Sequence, residues 1–548
     1  MCGIAGILNL KDLEPPGRAQ LGAMIGQLHH RGPDGKGFYL NEKVGLAHAR
    51  LSIIDLAGGD QPIHNENNSI NVIFNGEIFN YLELRSTLSG LGHQFYTDSD
   101  TEVIVHLYEQ YGLDFVHHLN GQFAIALWDN NQKQLVLARD RVGIRPVYYT
   151  RARGRLYFAS EIKSLLLNSD VTRRLNIQAL GEVFSYWSPL APNTLFEDVY
   201  SLPPGHMIVV RNGVQDIRRY WDWRFDKGRP ADNLALDEWA QQLKDILIDA
   251  VRLRLRADVP VGAYLSGGLD SSVITSFIKH FSDTPLRTFS IGFEDGEFDE
   301  SPYQKELINY LGTDHTHVLC RTSDIRASFP RAIWHTESTI LRTAPVPLML
   351  LSNKVRELNY KVVLTGEGSD EVLGGYDIFK EAKVRRFWAR FPESEVRPML
   401  LDRLYPYLKH NPMTGGKLFF KQGLDQHARP YFAHMPRWAT TQRCWQFFGE
   451  GIKDHFKGWD PCTAIESNLP AEINEWQPLN RDQYVEAHTL LSGYLLNSQG
   501  DRMGMANSVE GRFPFLDYRL IEFANRLPAR YKIMGLVEKF LLKHTVKE

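Results

Sequence analysis

From Met1 to about Trp223, apolar and polar positions alternate in short runs closed by Gly, Asn or Asp: INVIFNGEIFN, GQFAIALWDNN, QLVLARDRVGI, RLYFAS and HMIVVRNG. A period of two bounded by turn residues predicts antiparallel strands with one buried face each. Two stretches break that rhythm, YLELRSTLSGLG and TEVIVHLYEQYG, whose apolar residues recur at three-to-four spacing and predict helices with one apolar side. The layered α+β class follows. Around WDWRFDKGRPADN the apolar pattern stops, which places a linker near Lys227 and divides the chain into 1–225 and 226–548.

Beyond the linker the texture changes. A long amphipathic run, LDEWAQQLKDILIDAVRLRL, leads to VGAYL, then SSVITSFIKHF, then LRTFSIGF, and YKVVLTG supplies a third short strand. Strands alternating with helices predict an α/β parallel sheet. From Tyr376 onward the pattern is mainly helical and rich in Arg, Trp, Phe and Tyr. No internal repeat occurs.

Composition narrows the functional classes. With 548 residues the chain exceeds one hydrophobic core, and 62 basic against 65 acidic residues leave a net charge of −3. No field favours nucleic acid or an anionic membrane. The segments VRRFWARF and WATTQRCWQFF mix bases with aromatics, but acidic residues are interleaved and helix packing accounts for them. Cys2, Cys320, Cys444 and Cys462 are too few and too scattered for a disulfide framework or a zinc ribbon, so a reducing cytoplasm is expected. No apolar run reaches the roughly 18 residues of a spanning helix.

The chemistry-bearing residues begin at the second position. Once Met1 is removed, the thiol and the free α-amine of Cys2 lie on one residue, and an amine titrating near about 8 can act as its base. For an isolated cysteine a buried core role is the ordinary reading. The neighbours change it: HHRGPDG at 29–35, HARLSIIDL at 48–56, FNGEIFN at 74–80 and SDTEVI at 99–104, followed by RDRVGIRPVYY and FASEIKSLL.

In the second half VGAYLSGGLDSS at 261–272 runs from strand through two glycines into a helix, the geometry of a phosphate nest. It is not a Walker A loop. FSIGF at 289–293 and LTGEGSDEVLGGY at 364–376 accompany it.

The N-terminal set resembles the glutaminase of class II amidotransferases, and SGGLDS resembles the pyrophosphate loop of ATP-pyrophosphatases; together they are similar to the glutamine-hydrolysing asparagine synthetase family. The resemblance implies an N-terminal-nucleophile α+β half joined to an α/β synthetase, with glutamine, aspartate and ATP as small-molecule substrates, Mg²⁺ as cofactor and room for a homodimer. It gives Cys2 as nucleophile, Asn75 and Gly76 as oxyanion hole, and Arg50, Leu51, Ile53, Glu77 and Asp100 as the glutamine site. It gives Leu265, Ser266, Gly267, Gly268, Asp270, Ser271, Ile291, Thr365 and Gly366 to ATP, with Asp270 and Asp370 to the metal and Glu367 to catalysis. Arg342, in HTESTILRTAPVPLML, is the candidate for the acceptor's α-carboxylate, as a half-buried Arg facing a cleft.

Relatives with these motifs amidate peptides, sugars and antibiotic precursors, so the acceptor stays open; β-lactam-forming relatives lack the nucleophile. A catalytically silent regulatory protein of the same fold is the rival from another class. Three departures stand out. Arg145 occupies the GIRP position where Lys is usual, Gly504 differs more mildly, and the family's pyrophosphate-contacting lysine is expected beyond EKFLLK, past the last residue Glu548. Arg502, Glu510 and Arg512 read as ion pairs internal to the synthetase half.

Overall fold

The computed structural model describes residues 2–226, 234–294, 300–405 and 413–547; Lys227 lies outside them. Seventeen strands form three sheets. In the first half they are β1 (Gly3–Asn9), β2 (Gly35–Leu40), β3 (Val44–Arg50), β4 (Ile63–His64), β5 (Ile70–Ile78), β6 (Gly121–Asp129), β7 (Gln134–Arg139), β8 (Tyr148–Ala152), β9 (Arg155–Ala159), β10 (Val199–Ser201), β11 (His206–Arg211) and β12 (Val214–Arg219). One sheet has the order β10-β8-β9-β1-β3-β2, the other β12-β11-β7-β6-β5-β4, and their pairings are antiparallel.

The two sheets stack through Ile4, Leu8 and Leu46 on one side and Ile73, Ala124 and Leu137 on the other. Their outer faces are covered too. The Arg18–Gly26 helix drives Leu21, Met24 and Ile25 onto the first, and the Glu102–Tyr111 helix drives Val103, Ile104 and Leu107 onto the second. A four-layer stack buries the central strands on both faces, which is why β1 is buried from end to end and shows no alternation.

The second half carries β13 (Val261–Tyr264), β14 (Arg287–Phe293), β15 (Asp314–Cys320), β16 (Val362–Leu364) and β17 (Glu510–Arg512) as one parallel sheet, order β15-β14-β13-β16-β17. β15 and β17 are not evident in the sequence pattern. DHTHVLC is polar where it meets solvent, and a three-residue EGR strand carries no periodicity.

A single apolar cluster runs across both halves. Leu51, Ile53, Val142 and Ile144 pack with Trp223 and Phe225 against Leu243, Val261, Leu491 and Phe513. The two halves are thereby held in a fixed relation, and the loop ending β3 is clamped by the second half: Asp258 N–H donates to Ile53 O at 2.9 Å and its carboxylate accepts from Asp55 N–H at 2.7 Å. Among the described residues no helix is long and apolar enough to cross a membrane.

Candidate active sites and the interface between them

Cys2 enters β1 beside β3 and is almost fully buried. Its backbone N–H donates to Asn75 Oδ1 at 3.0 Å, and Leu51 N–H points at Sγ from 3.5 Å. Burial raises the thiol above its ordinary value, with the Leu51 N–H opposing. A thiol in that state needs a base at hand to react.

Asn75 uses its carbonyl on Cys2, which leaves its Nδ2 amide buried and without a partner. An orphaned donor beside a thiol is what an oxyanion site requires before substrate arrives. Gly76 follows because a Cβ there would meet Gln122 O of β6 at 2.0 Å. Only a glycine lets β5 lie so close to β6.

Two charged residues that the resemblance assigns to glutamine, Arg50 and Asp100, lie on either side of Asn75 and Gly76 in the sequence. Arg50 is buried at the end of β3, where its guanidinium donates to Asp55 O (2.5 Å), Leu56 O (3.3 Å) and the Asp60 carboxylate (2.8 Å). Asp60 is itself largely in solvent, so a substrate carboxylate can displace it. Asp100, in the loop before the Glu102–Tyr111 helix, accepts from Ile78 N–H at 2.9 Å. Burial pushes its carboxyl up to about 6. Glu77 alongside is raised well above the usual carboxylate range by burial and by Asp100 and Glu510, which outweigh Arg512.

In the second half β13 delivers Leu265 and Ser266 to a turn, and the Leu269–Phe281 helix begins at once. Gly267 takes φ +86°, which a side chain would strain, and Ser271 Oγ accepts from Ser266 N–H at 3.1 Å to hold the loop open. Gly366 packs on the first turn of that helix, where a Cβ would meet Ser271 N at 2.7 Å. Thr365 N–H is fixed by Arg512 O at 3.0 Å, and Ile291 O accepts from Gln304, which also holds Ser266 O.

Asp270 and Asp370 converge from these two loops. Asp270 Oδ1 is buried without a partner, and two hard carboxylates beside a phosphate nest fit Mg²⁺. Between them lies Lys539, whose Nζ is 2.5 Å from Asp270 Oδ2 and 2.7 Å from Asp370 Oδ1. The expectation of a missing cation is thus corrected: the lysine at the start of the EKFLLK segment itself reaches the site. It does so because the chain folds back after Pro528, with Lys539 at φ +48° immediately before the last helix, Phe540–Thr545. Glu367 stands next to this group, half-buried, its carboxyl pushed up to about 7 by burial and by Asp370 and Asp270.

Arg342 is placed differently from the half-buried position expected of it. It is exposed, and its guanidinium lies 4.8 Å over the Trp187 ring. Glu510 and Arg512 are also more than internal ion pairs. Arg512 bonds Glu510 at 2.6 Å and lies 3.3 Å from Glu77 of the first half. Arg502 is buried against Glu337 (2.8 Å) and Glu161 (3.3 Å). Their β-strand and helix sit at the seam between the halves.

That seam holds charged residues that no local motif announces. Arg31, fully buried, donates to Cys2 O at 3.2 Å, to Glu161 at 2.9 Å and in bidentate fashion to Asp501 at 2.8 and 3.0 Å. Arg145 adds a bond to Asp501 at 3.3 Å and to Gly511 O at 3.1 Å, and Gln122 donates to the same Gly511 O at 3.0 Å. Arg145, Asp501, Gly504, Gly511, Leu495 and Glu367 line an internal cavity of about 110 Å³. Arg145 comes from the first half and Glu367 from the second, so the cavity lies across the seam. Gly504 is small because a Cβ would meet Val509 O at 2.7 Å.

Comparison with known proteins agrees with this geometry. Residues 242–548 match the asparagine synthase family and residues 1–221 the glutamine amidotransferase domain. "Asparagine synthetase [glutamine-hydrolyzing] 1" of Bacillus subtilis is 33% identical over 99% of this chain and 84% of its own length. The chain belongs to the glutamine-hydrolysing asparagine synthetase family. Members of this family are ATP-dependent ligases. Two relatives carry another description: "Amidase chyE" of Penicillium rubens is 31% identical over the whole chain and 86% of its own length, and "Amidase chry2" of Gibberella zeae is 31% identical over 96% and 82%.

Proposed function

We propose that this asparagine synthetase family member makes asparagine from aspartate, with glutamine as nitrogen donor and ATP cleaved to AMP and pyrophosphate. The observation that supports the reading is that the two candidate sites meet at one seam: Arg31 donates to Cys2 O and to Asp501, and Asp501 and Glu367 line the same cavity. The division of labour at 225/226, the residue roles below and a cytoplasmic setting belong to the same proposal.

Cys2 Sγ attacks the glutamine carboxamide, held at its charged end by Arg50 and Asp100. The oxyanion is taken by Asn75 Nδ2 and the Gly76 N–H, a type of donor worth about 3 kcal/mol each in the transition state. The Cys2 amine, freed by loss of Met1, takes the thiol proton and passes it to the leaving ammonia. Water then releases glutamate from the thioester.

In the other half the aspartate β-carboxylate attacks the α-phosphate of ATP lying on Ser266 to Gly268. Pyrophosphate leaves towards Lys539, and Mg²⁺ on Asp270 and Asp370 would spread the phosphate charge. Ammonia crossing the cavity attacks the acyl-adenylate carbonyl, and Glu367, with a proton affinity near neutrality, accepts the proton it sheds. A closed route matters because ammonia released into neutral water is mostly ammonium and unreactive.

The test is mass spectrometry of products from glutamine, Mg-ATP and free aspartate. Asparagine with stoichiometric AMP supports the reading. A Cys2→Ala variant is expected to lose glutamine-driven synthesis and to keep ammonia-driven synthesis; loss of both refutes the division of roles. A second reading changes only the acceptor to a peptide or other carboxylate. The exposed position of Arg342 and the two amidase relatives favour it. AMP formation with no asparagine from free aspartate would select it.

A further inference from the structure

On the outer side of the glutaminase half, away from Cys2 and from the nucleotide loops, four side chains from three chain segments meet. The Glu102–Tyr111 helix presents His106 and Glu109, one turn apart. His93 comes from the loop before that helix and Glu66 from the turn between β4 and β5. One ligand-type atom from each of the four lies within 4.8 Å of all the others.

The spacings are those of a coordination shell. His106 Nδ1 is 3.1 Å from Glu109 Oε2 and 3.8 Å from Glu66 Oε2, and His93 Nδ1 is 3.5 Å from Glu109 Oε2. A tetrahedral ion with ligand bonds of about 2.0–2.1 Å sets its ligands about 3.3–3.4 Å apart. Small shifts of exposed glutamates would close the set.

Three of the four atoms facing away are hydrogen-bonded as well. His93 Nε2 is 3.3 Å from Gln110 Oε1 and His106 Nε2 is 3.5 Å from Glu102 Oε1. Each ring can keep its proton on Nε2 and turn a bare Nδ1 inward, the arrangement by which carboxylate and carbonyl partners orient metal-binding histidines. Glu66 Oε1 accepts from Gln94 N–H at 2.9 Å and Glu109 Oε1 from Asn65 Nδ2 at 2.7 Å, so each carboxylate also has one oxygen tied and one aimed at the centre. His106 is fully buried, and its Nε2 has no good hydrogen bond. A mere surface ion pair does not organise the second atom of three of its four members.

We propose that Glu66, His93, His106 and Glu109 form a structural binding site for a divalent transition-metal ion of the zinc class. Two imidazoles with two carboxylates suit Zn²⁺ or Co²⁺ and disfavour Mg²⁺ and Ca²⁺, which take oxygen shells. With all four ligands supplied by protein, the site is of the closed structural kind. It would tie three separate segments together. One of them is the loop that presents Asp100, since Glu102 also receives Tyr96 N–H at 2.8 Å and Thr97 N–H at 2.7 Å.

The full-length protein is stripped with EDTA, dialysed without nucleotide and titrated with Zn²⁺, with bound metal counted by elemental analysis and stability followed by Tm. A Co²⁺ titration reads geometry by its visible absorption. The proposal expects one Zn²⁺ per chain, a Tm that rises with zinc and falls again with EDTA, and a tetrahedral cobalt spectrum. His93→Ala and Glu66→Gln, both at the solvent side of the cluster, should weaken binding at least about tenfold while the metal-free protein remains folded. Cys2→Ala should bind as the parent does, which separates this site from a thiolate. Zinc that fails to bind, binding unchanged in both His93→Ala and Glu66→Gln, or binding lost with Cys2→Ala would each overturn it.

Discussion

With Asp100 in its proposed role, its proton affinity should make glutamine binding sensitive to pH in a range where glutamine's own charges do not change. Burial lifts the Asp100 carboxyl to about 6, and the α-ammonium of glutamine needs it ionised. With that midpoint, about a quarter of the free sites are competent at pH 5.5 and about a tenth at pH 5, so the apparent Kd should rise about fourfold and about tenfold over its value at pH 7.5. The sign is fixed by the charge state: affinity is full above about 6 and lost as pH falls through it. The measurement is calorimetric binding of glutamine to a Cys2→Ala variant, which removes turnover and the thiol. His48, the buried imidazole of β3, is pushed down to about 3 by burial and stays neutral throughout. Asp100→Asn should weaken binding by about 1.5–3 kcal/mol, the worth of a charged hydrogen bond, and flatten the profile. Glu77→Gln should leave the acid limb in place. A Kd that is level from pH 7.5 to 5, or an acid limb that survives in Asp100→Asn, would refute the assignment.

Other perturbations follow from the seam and the nucleotide loops. Asp501→Asn leaves Arg31 and Arg145 buried with reduced compensation and should cost about 3–5 kcal/mol, seen as a large fall in Tm with both activities affected. Lys539→Met should lower ATP-pyrophosphate exchange by about a hundredfold or more while glutamine hydrolysis continues, because the lost charge faces Asp270, Asp370 and Glu367, all in the second half. Lys532 is buried and lowered to about 7 from 10.5 by burial alone, so the unfolded chain binds more protons between those values. Stability should therefore climb as pH rises from about 7 towards 10, and Lys532→Met should remove that slope in chemical denaturation.

What could be read in the order of residues was whatever the chain builds locally. The SGGLDSS turn carries its geometry within a few residues, through Gly267 and the Ser266–Ser271 hydrogen bond, whereas the NGE and GEGSD segments were legible as motifs. The apolar runs named many of the strands and two helices of the first half, Tyr81–Gly90 and Glu102–Tyr111, for the same reason.

Tertiary structure decided what depends on distant partners. β17 is a strand only because β16 pairs with it, and β1 shows no alternation because layers cover both its faces. Lys539 follows Asp270 by 269 residues, and Arg31 precedes Asp501 by 470, so no spacing rule connects them. Both pairs exist because a buried charge must find an opposite one wherever the fold brings it. The motifs thus pointed to two candidate half-sites, and packing across the seam set one beside the other.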